Sequence, residues 1–233
     1  MALLEVEDLQ SGYGELQILW GIDLRVEPRE TVILLGANSA GKTTLLRTII
    51  GLLPSRKGSI RFEGEPIETL SPNQRIRCGI AFMSELGVFP ALSIDENIEL
   101  GGYFLSGAEI RRRKMGMYEL FPDLAKKRGH PAASLSGGQR KMLGIAKALV
   151  SRPKLLLMDE PSSGLAPVYV KQLIEVLQTA IVGGTALLLA EQNVAFLRLA
   201  DRGYLIEGGR VRFSGTQEQL ENSDAVHAAY FGL

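Results

Sequence analysis

Cysteine is nearly missing from this chain: Cys78 is the only one in 233 residues. An internal disulfide and a cysteine metal cluster are both excluded, and a reducing cytosol is the compartment expected. Histidine is almost as scarce. His130 and His227 stand alone, with no second histidine or cysteine at ligand spacing. Surface or packing roles suit them better than metal binding. There is no excess charge of either sign, since Lys and Arg total 26 and Asp and Glu total 26. That balance gives no support for a nucleic-acid partner, though a local basic patch is compatible with it. Long hydrophobic runs are absent too. None approaches the ~18 residues that span a bilayer, so any membrane association is expected to come through a partner. The first residues, Met1-Ala2-Leu3-Leu4-Glu5, turn acidic at once and do not read as a signal peptide. No internal repeat and no low-complexity stretch is found.

What is present is enough to build one large core, with 45% hydrophobic and 22% charged residues. The most telling stretch is Gly36-Ala37-Asn38-Ser39-Ala40-Gly41-Lys42-Thr43-Thr44. It has the phosphate-loop spacing of Gly, four residues, then Gly-Lys-Thr. Val32-Ile33-Leu34-Leu35 before it reads as a buried strand, and Lys42 to Ile50 after it as a helix. Glycines at a strand-to-helix bend leave backbone N–H groups and a positive helix end free to hold phosphate. Lys42 can then reach the outer phosphates, and the Thr43 hydroxyl can ligate Mg²⁺. A Gly-rich turn arising by chance is the competing explanation, and the flanking elements argue against it.

In chain order, residues 3–9 and 22–26 alternate like half-buried strands, with a turn expected at residues 11–14. Residues 53–58 read as another turn and 59–64 as a short strand. Ile80 to Met83 is a further strand. Helical patterns dominate residues 93–149, as an insertion between two halves of a sheet. Its basic run, Arg111-Arg112-Arg113-Lys114, is expected to be a solvated helix face. Residues 155–158 and 186–190 return to buried strands. Between them Val170, Leu173, Ile174, Leu177 and Ile181 fall at helical spacing. Residues 204–213 read as a hairpin turning at Gly208-Gly209. Alternating strands and helices imply an α/β fold with a mainly parallel core sheet.

Two more stretches carry chemistry. The strand 155–158 runs into Asp159-Glu160. Ligands of such sheets bind outside the carboxyl ends of strands, where the phosphate loop also lies. Asp159 can hold Mg²⁺ through its water shell, and Glu160 can act as general base on a water facing the γ-phosphate. A plain acidic pair at a helix start is the alternative. Leu135-Ser136-Gly137-Gly138-Gln139 precedes a helix with Met142, Ile145, Ala146 and Leu149 on one face. It is either a second anion site or a simple N-cap by Ser136.

In combination and in order, these motifs resemble those of ATP-binding-cassette (ABC) ATPases. Over nearly the whole length the chain is similar to the ATP-binding subunits of branched-chain amino-acid importers. Tyr13-Gly14, Glu119-Leu120-Phe121-Pro122, residues 160–167, Glu191-Gln192-Asn193, residues 200–204 and the ending at 225–230 carry the finer match. The resemblance implies one ABC ATPase domain over residues 1–233. Its P-loop NTPase core covers roughly 1–90 and 150–233, with an antiparallel β subdomain; the inserted helical subdomain covers roughly 91–149. It implies that Tyr13 stacks on adenine, a core tyrosine being the alternative, and that residues 36–44 hold the triphosphate with Mg²⁺. It also implies that Leu135, Ser136, Gly137, Gly138 and Gln139 meet ATP bound by a second cassette, identical or different. Residues 161–167 would lie at that seam, and residues 86–97 would face transmembrane permease subunits. A periplasmic or extracellular solute-binding protein is an indirect partner, and the site of action is the cytoplasmic face of the membrane.

Four positions depart from the family pattern. Ser84 stands where a glutamine or glutamate that reaches the metal is usual, with Glu85 beside it as a substitute. Gln192 aligns with the usual switch histidine, and can hydrogen-bond a phosphate oxygen but not shuttle a proton. Ser39 replaces a loop glycine, at ~1 kcal/mol or more if its φ is positive. Arg29 likewise replaces a turn glycine. These departures leave a regulatory cassette that closes on ATP and hydrolyses little as a second reading. A related urea or amide importer is a third. Glu160 argues for hydrolysis.

Overall fold

The computed structural model describes residues 1–84 and 87–223. Glu85 and the ending at 225–230 lie outside the described residues.

Two sheets carry the strands. β1 (Leu4–Tyr13), β2 (Leu16–Val26), β4 (Ser55–Phe62) and the two-residue β5 (Glu65–Pro66) form an antiparallel sheet ordered β2-β1-β4-β5. The second sheet runs β10-β9-β3-β8-β7-β6. Its members are β3 (Thr31–Leu35), β6 (Ile80–Met83), β7 (Leu155–Asp159), β8 (Ala186–Ala190), β9 (Arg202–Glu207) and β10 (Arg210–Thr216). All its pairings are parallel except β9 with β10, the expected hairpin at Gly208-Gly209.

β3, β7 and β8 are buried along their whole length. That is why they read as unbroken apolar runs rather than alternating ones. Ile33 and Leu35 point into one cluster, Val32 and Leu34 into the other, so both faces of the sheet are covered. α1 (Lys42–Ile50) packs on the face shared with the antiparallel sheet. The opposite face takes α7 (Pro167–Val182) and α6 (Gly137–Leu149). It also takes side chains of α3 (Ile94–Gly101), α4 (Gly107–Leu120) and α5 (Pro122–Lys126). These helices stand between β6 and β7 in the chain. α2 (Pro72–Cys78) precedes β6, and α8 (Gln217–Glu221) follows β10. Among the described residues, no helix is long and apolar enough to cross a membrane.

Two local expectations are corrected. Residues 11–13 are not a turn but the end of β1, and Ser11 pairs with Ser55 of β4. The turn is at 14–15. Residues 55–58 are not a turn but the start of β4. Gly58, at φ +85, sits where β1 bulges, and a Cβ there would lie 2.3 Å from the Glu7 carbonyl oxygen. A glycine that reads as a turn residue is here a bulge partner. In the basic run of α4, Arg111 and Arg112 are exposed as expected, while Arg113 and Lys114 are partly buried. Arg112 and Arg113 pair with Glu109, and Lys114 with Asp95 and Glu99.

A cleft at the carboxyl ends of three strands

β3, β8 and β7 are neighbours, and Ala190 pairs with Leu34 on one side and Asp159 on the other. Three chain segments therefore leave the sheet side by side: the phosphate loop, residues 191–193, and Glu160 onward. This register, not sequence proximity, builds the site.

The loop itself is shaped by glycine where nothing else fits. A Cβ on Gly36 would lie 2.3 Å from the Ile206 carbonyl oxygen, and φ there is +147. Gly41 is the N-cap of α1 at φ 110, and no side chain caps the helix. The first-turn N–H groups are thus not taken by a capping side chain. Gly209 N–H donates to the Ala40 carbonyl at 2.9 Å, so the β9–β10 turn props the loop from behind. Ser39 does have a left-handed backbone, at φ 66, as does Arg29. The strain foreseen for a non-glycine residue is present at both.

Residues 38–44 line a cleft of about 440 Å³ together with Tyr13, Ile18, Asp159 and Glu160. Lys42 is buried, and its Nζ donates to the carbonyls of Gly36 at 2.7 Å and Ala37 at 3.1 Å. It lies 3.6 Å from Glu160 Oε1. Burial pushes its pKa down, against the pull of the Glu160 carboxylate. Thr43 Oγ1 donates to Asp159 Oδ1 at 2.9 Å. Burial raises the Asp159 carboxyl above the ordinary range; the Thr43 hydroxyl opposes this and the Glu160 charge adds to it.

Glu160 has a left-handed backbone, at φ 46. Its N–H donates to the Ala190 carbonyl at 2.8 Å, and its own carbonyl accepts from Lys141 Nζ at 2.9 Å. The Gln192 amide Nε2 donates to Glu160 Oε1 and to Asn38 Oδ1, each at 2.6 Å. Gln192 thereby bridges the phosphate loop and the carboxylate. Tyr13 is 40% exposed and lines the cleft, with its hydroxyl accepting from Arg47 at 3.3 Å, so it is not a core tyrosine.

Other expected residues lie elsewhere. Ser84 lines a separate groove of about 330 Å³ with Phe89, Tyr103 and Lys147. β6 ends one residue earlier, at Met83, and Ser84 is not among the residues that line the phosphate cleft. Leu135 is buried, while Ser136 and Gly137 are exposed. Ser136 caps α6: its Oγ accepts from Gln139 N–H and Gln139 Oε1 accepts from Ser136 N–H, both at 3.3 Å. Gly138 is a glycine because Tyr169 is there; a Cβ would lie 2.5 Å from its ring. None of residues 135–139 lines the phosphate cleft of its own chain. Lys141, Glu191 and Ile18 join the site without any signal in the sequence spacing.

The donor set suits a metal that arrives with its ligand. No group of three or more His, Cys, Asp or Glu able to hold an ion occurs among the described residues. Thr43 and Asp159 supply two oxygens 2.9 Å apart. A small hard cation held by one or two protein oxygens completes its shell with phosphate oxygens and water.

The family model for "ABC transporter" matches residues 19–163. The high-affinity branched-chain amino-acid transport ATP-binding protein BraG of Pseudomonas aeruginosa is 39% identical over 99% of this chain and 100% of its own length. A probable branched-chain amino-acid transport ATP-binding protein of Archaeoglobus fulgidus, LivF, is 34% identical over 99% of both chains. The lipopolysaccharide export ATP-binding protein LptB of Haemophilus influenzae is 30% identical over 100% of this chain and 98% of its own. Among solved structures, the ADP conformation of an ATP-binding cassette of an ABC transporter superposes with a TM-score of 0.84. It is 26% identical and covers 100% of both chains.

Proposed function

The chain belongs to the ABC transporter family as an ATPase whose hydrolysis is coupled to transport, and we propose that it energises an importer of branched-chain or other small amino acids. The supporting observation is the 39% identity to a branched-chain amino-acid transport ATP-binding protein over 99% of this chain and 100% of that one. An exporter is the second reading, favoured by the 30% match to the lipopolysaccharide export protein. An importer of urea or amides is a variant of the first.

In this proposal the N–H groups of residues 36–44 and Lys42 hold the triphosphate, and Tyr13 takes the adenine. Mg²⁺ at Thr43 and Asp159 supplies neutralisation of phosphate charge. Glu160 accepts a proton from a water whose oxygen bonds to the γ-phosphorus, while the bond from phosphorus to the β–γ bridging oxygen breaks. Gln192 orients that carboxylate. A regulatory cassette without hydrolysis fits less well, because Gln192 already reaches Glu160 at 2.6 Å. Residues 135–139 face a second cassette, identical or different, and the groove at Phe89 and Tyr103 receives the permease at the cytoplasmic face of the membrane. A solute-binding protein acts through that permease.

Uptake by cells lacking this chain tests the proposal. Uptake of labelled leucine, isoleucine and valine, supplied below the KM for transport, should be lost. Normal uptake of all three, with loss of urea uptake or of an exported glycolipid, would overturn it.

A further inference from the structure

Glu191 follows β8 and is buried, at 2% exposure. Its Oε1 accepts from Ser162 N–H at 2.8 Å, and its Oε2 accepts from Ser162 Oγ at 2.9 Å. Oε2 also accepts from Gln192 N–H at 3.1 Å and Asn193 N–H at 3.2 Å. One carboxylate thus gathers donors from two segments that are far apart in the chain. The first is the tight turn after Glu160, where Ser163 N–H returns to the Glu160 carbonyl at 3.2 Å. The second carries Gln192, whose amide meets the Glu160 carboxylate.

We propose that Glu191 is a positioning residue for ATP hydrolysis, clamping the turn after Glu160 to the backbone of Gln192 so that amide and carboxylate stay aligned. The proposal rests on the reading of Glu160 as the base of this ATPase. A buried carboxylate is costly unless its lone pairs are met, and here four donors meet them. Only an acceptor-only group serves four donors. Glutamine at 191 would set its own N–H₂ against one of them. Aspartate, one methylene shorter, would not reach both segments. The four donors named here stand on residues 162, 192 and 193, so loss of the clamp falls first on the alignment of Glu160 with Gln192.

Phosphate release and hydrogen exchange on the full chain, with and without Mg-ATP, test this. Glu191→Gln should lose about 30-fold or more in kcat, with a much smaller change in KM, the pattern of a misaligned catalytic group. Mg-ATP should protect residues 36–44 in both proteins. Residues 161–165 and 191–194 should be protected in the wild type and exchange freely in the variant. A variant with wild-type kcat and protection overturns the clamp alone. Equal loss of protection at 36–44 overturns it as well, by showing a general structural role. A wild type in which Mg-ATP protects nothing at 36–44 removes the ATP reading and the clamp together. Ser162→Ala deletes one donor and leaves the carboxylate, and so stands in if Glu191→Gln does not fold. Its kcat should drop about threefold, the scale of one hydrogen bond, and an unchanged kcat overturns the clamp.

Discussion

The glycine-containing bends that lead into α1 and α6 differ in their chemistry. At α1 the N-cap is Gly41 and no side chain caps the helix. Lys42, Thr43, Asp159, Glu160 and Gln192 converge on it. At α6 the N-cap is Ser136, with a complete capping box to Gln139. None of residues 135–139 lines the phosphate cleft of its own chain. A capped first turn has already placed one of its orphan donors, and is presented outward. An uncapped one, backed by a buried lysine and carboxylates, is built for a ligand of its own. The same local device therefore does two jobs, and the surroundings decide which.

The largest effect expected at the α1 bend is on the chemical step. Glu160→Gln should lower phosphate release by about 10²- to 10⁴-fold, the range for removing a general base, while ATP still binds. Equal rates for both proteins would break the assignment. Lys42→Ala should weaken ATP binding about 100-fold, as the loss of a buried charge-assisted contact does. Unchanged affinity in an equilibrium titration would contradict it.

Asp159 adds a pH arm. Burial raises its pKa in the folded chain. A raised acid contributes stability that is fully present below its unfolded pKa and is lost as pH rises through the folded one. Asp159→Asn should therefore raise the melting temperature of the nucleotide-free chain near neutral pH and weaken Mg²⁺-dependent binding about tenfold, the scale of one lost charged contact. In the wild type, that binding should begin to fail, on acidification, above the ordinary aspartate range. A flat profile from pH 7 to pH 4 would count against Asp159 as metal partner. Tyr13→Ala should cost about fivefold in affinity for ATP and nothing for inorganic triphosphate, as removal of one stacking ring does. Ser136→Ala, on the α6 side, should cost about 1 kcal/mol of stability and leave ATP binding by the dilute chain intact. A loss of binding there would erase the contrast between the two bends.

How legible this was follows from where the chemistry sits. The phosphate loop, the strand ending in Asp159-Glu160 and the Gly208-Gly209 hairpin are each contiguous in sequence, and each can be read with its flanks. The bridge from Gln192 to Asn38 and Glu160 is not. It exists because Ala190 pairs with both Leu34 and Asp159, a tertiary fact with no trace in spacing. The clamp by Glu191 and the lysine contact from α6 are hidden for the same reason. Gly58 is misread because a bulge and a turn ask the same of a residue, a positive φ. Ser84 departs from the family pattern, and the structure places it in a different groove.

Backbone amide resonances of the dilute, monomeric chain, followed during addition of Mg-ATP, test the central contrast most directly. Large shifts should gather at residues 36–44, with residues 136–139 unmoved. Shifts at 136–139 with none at 36–44 would contradict the account.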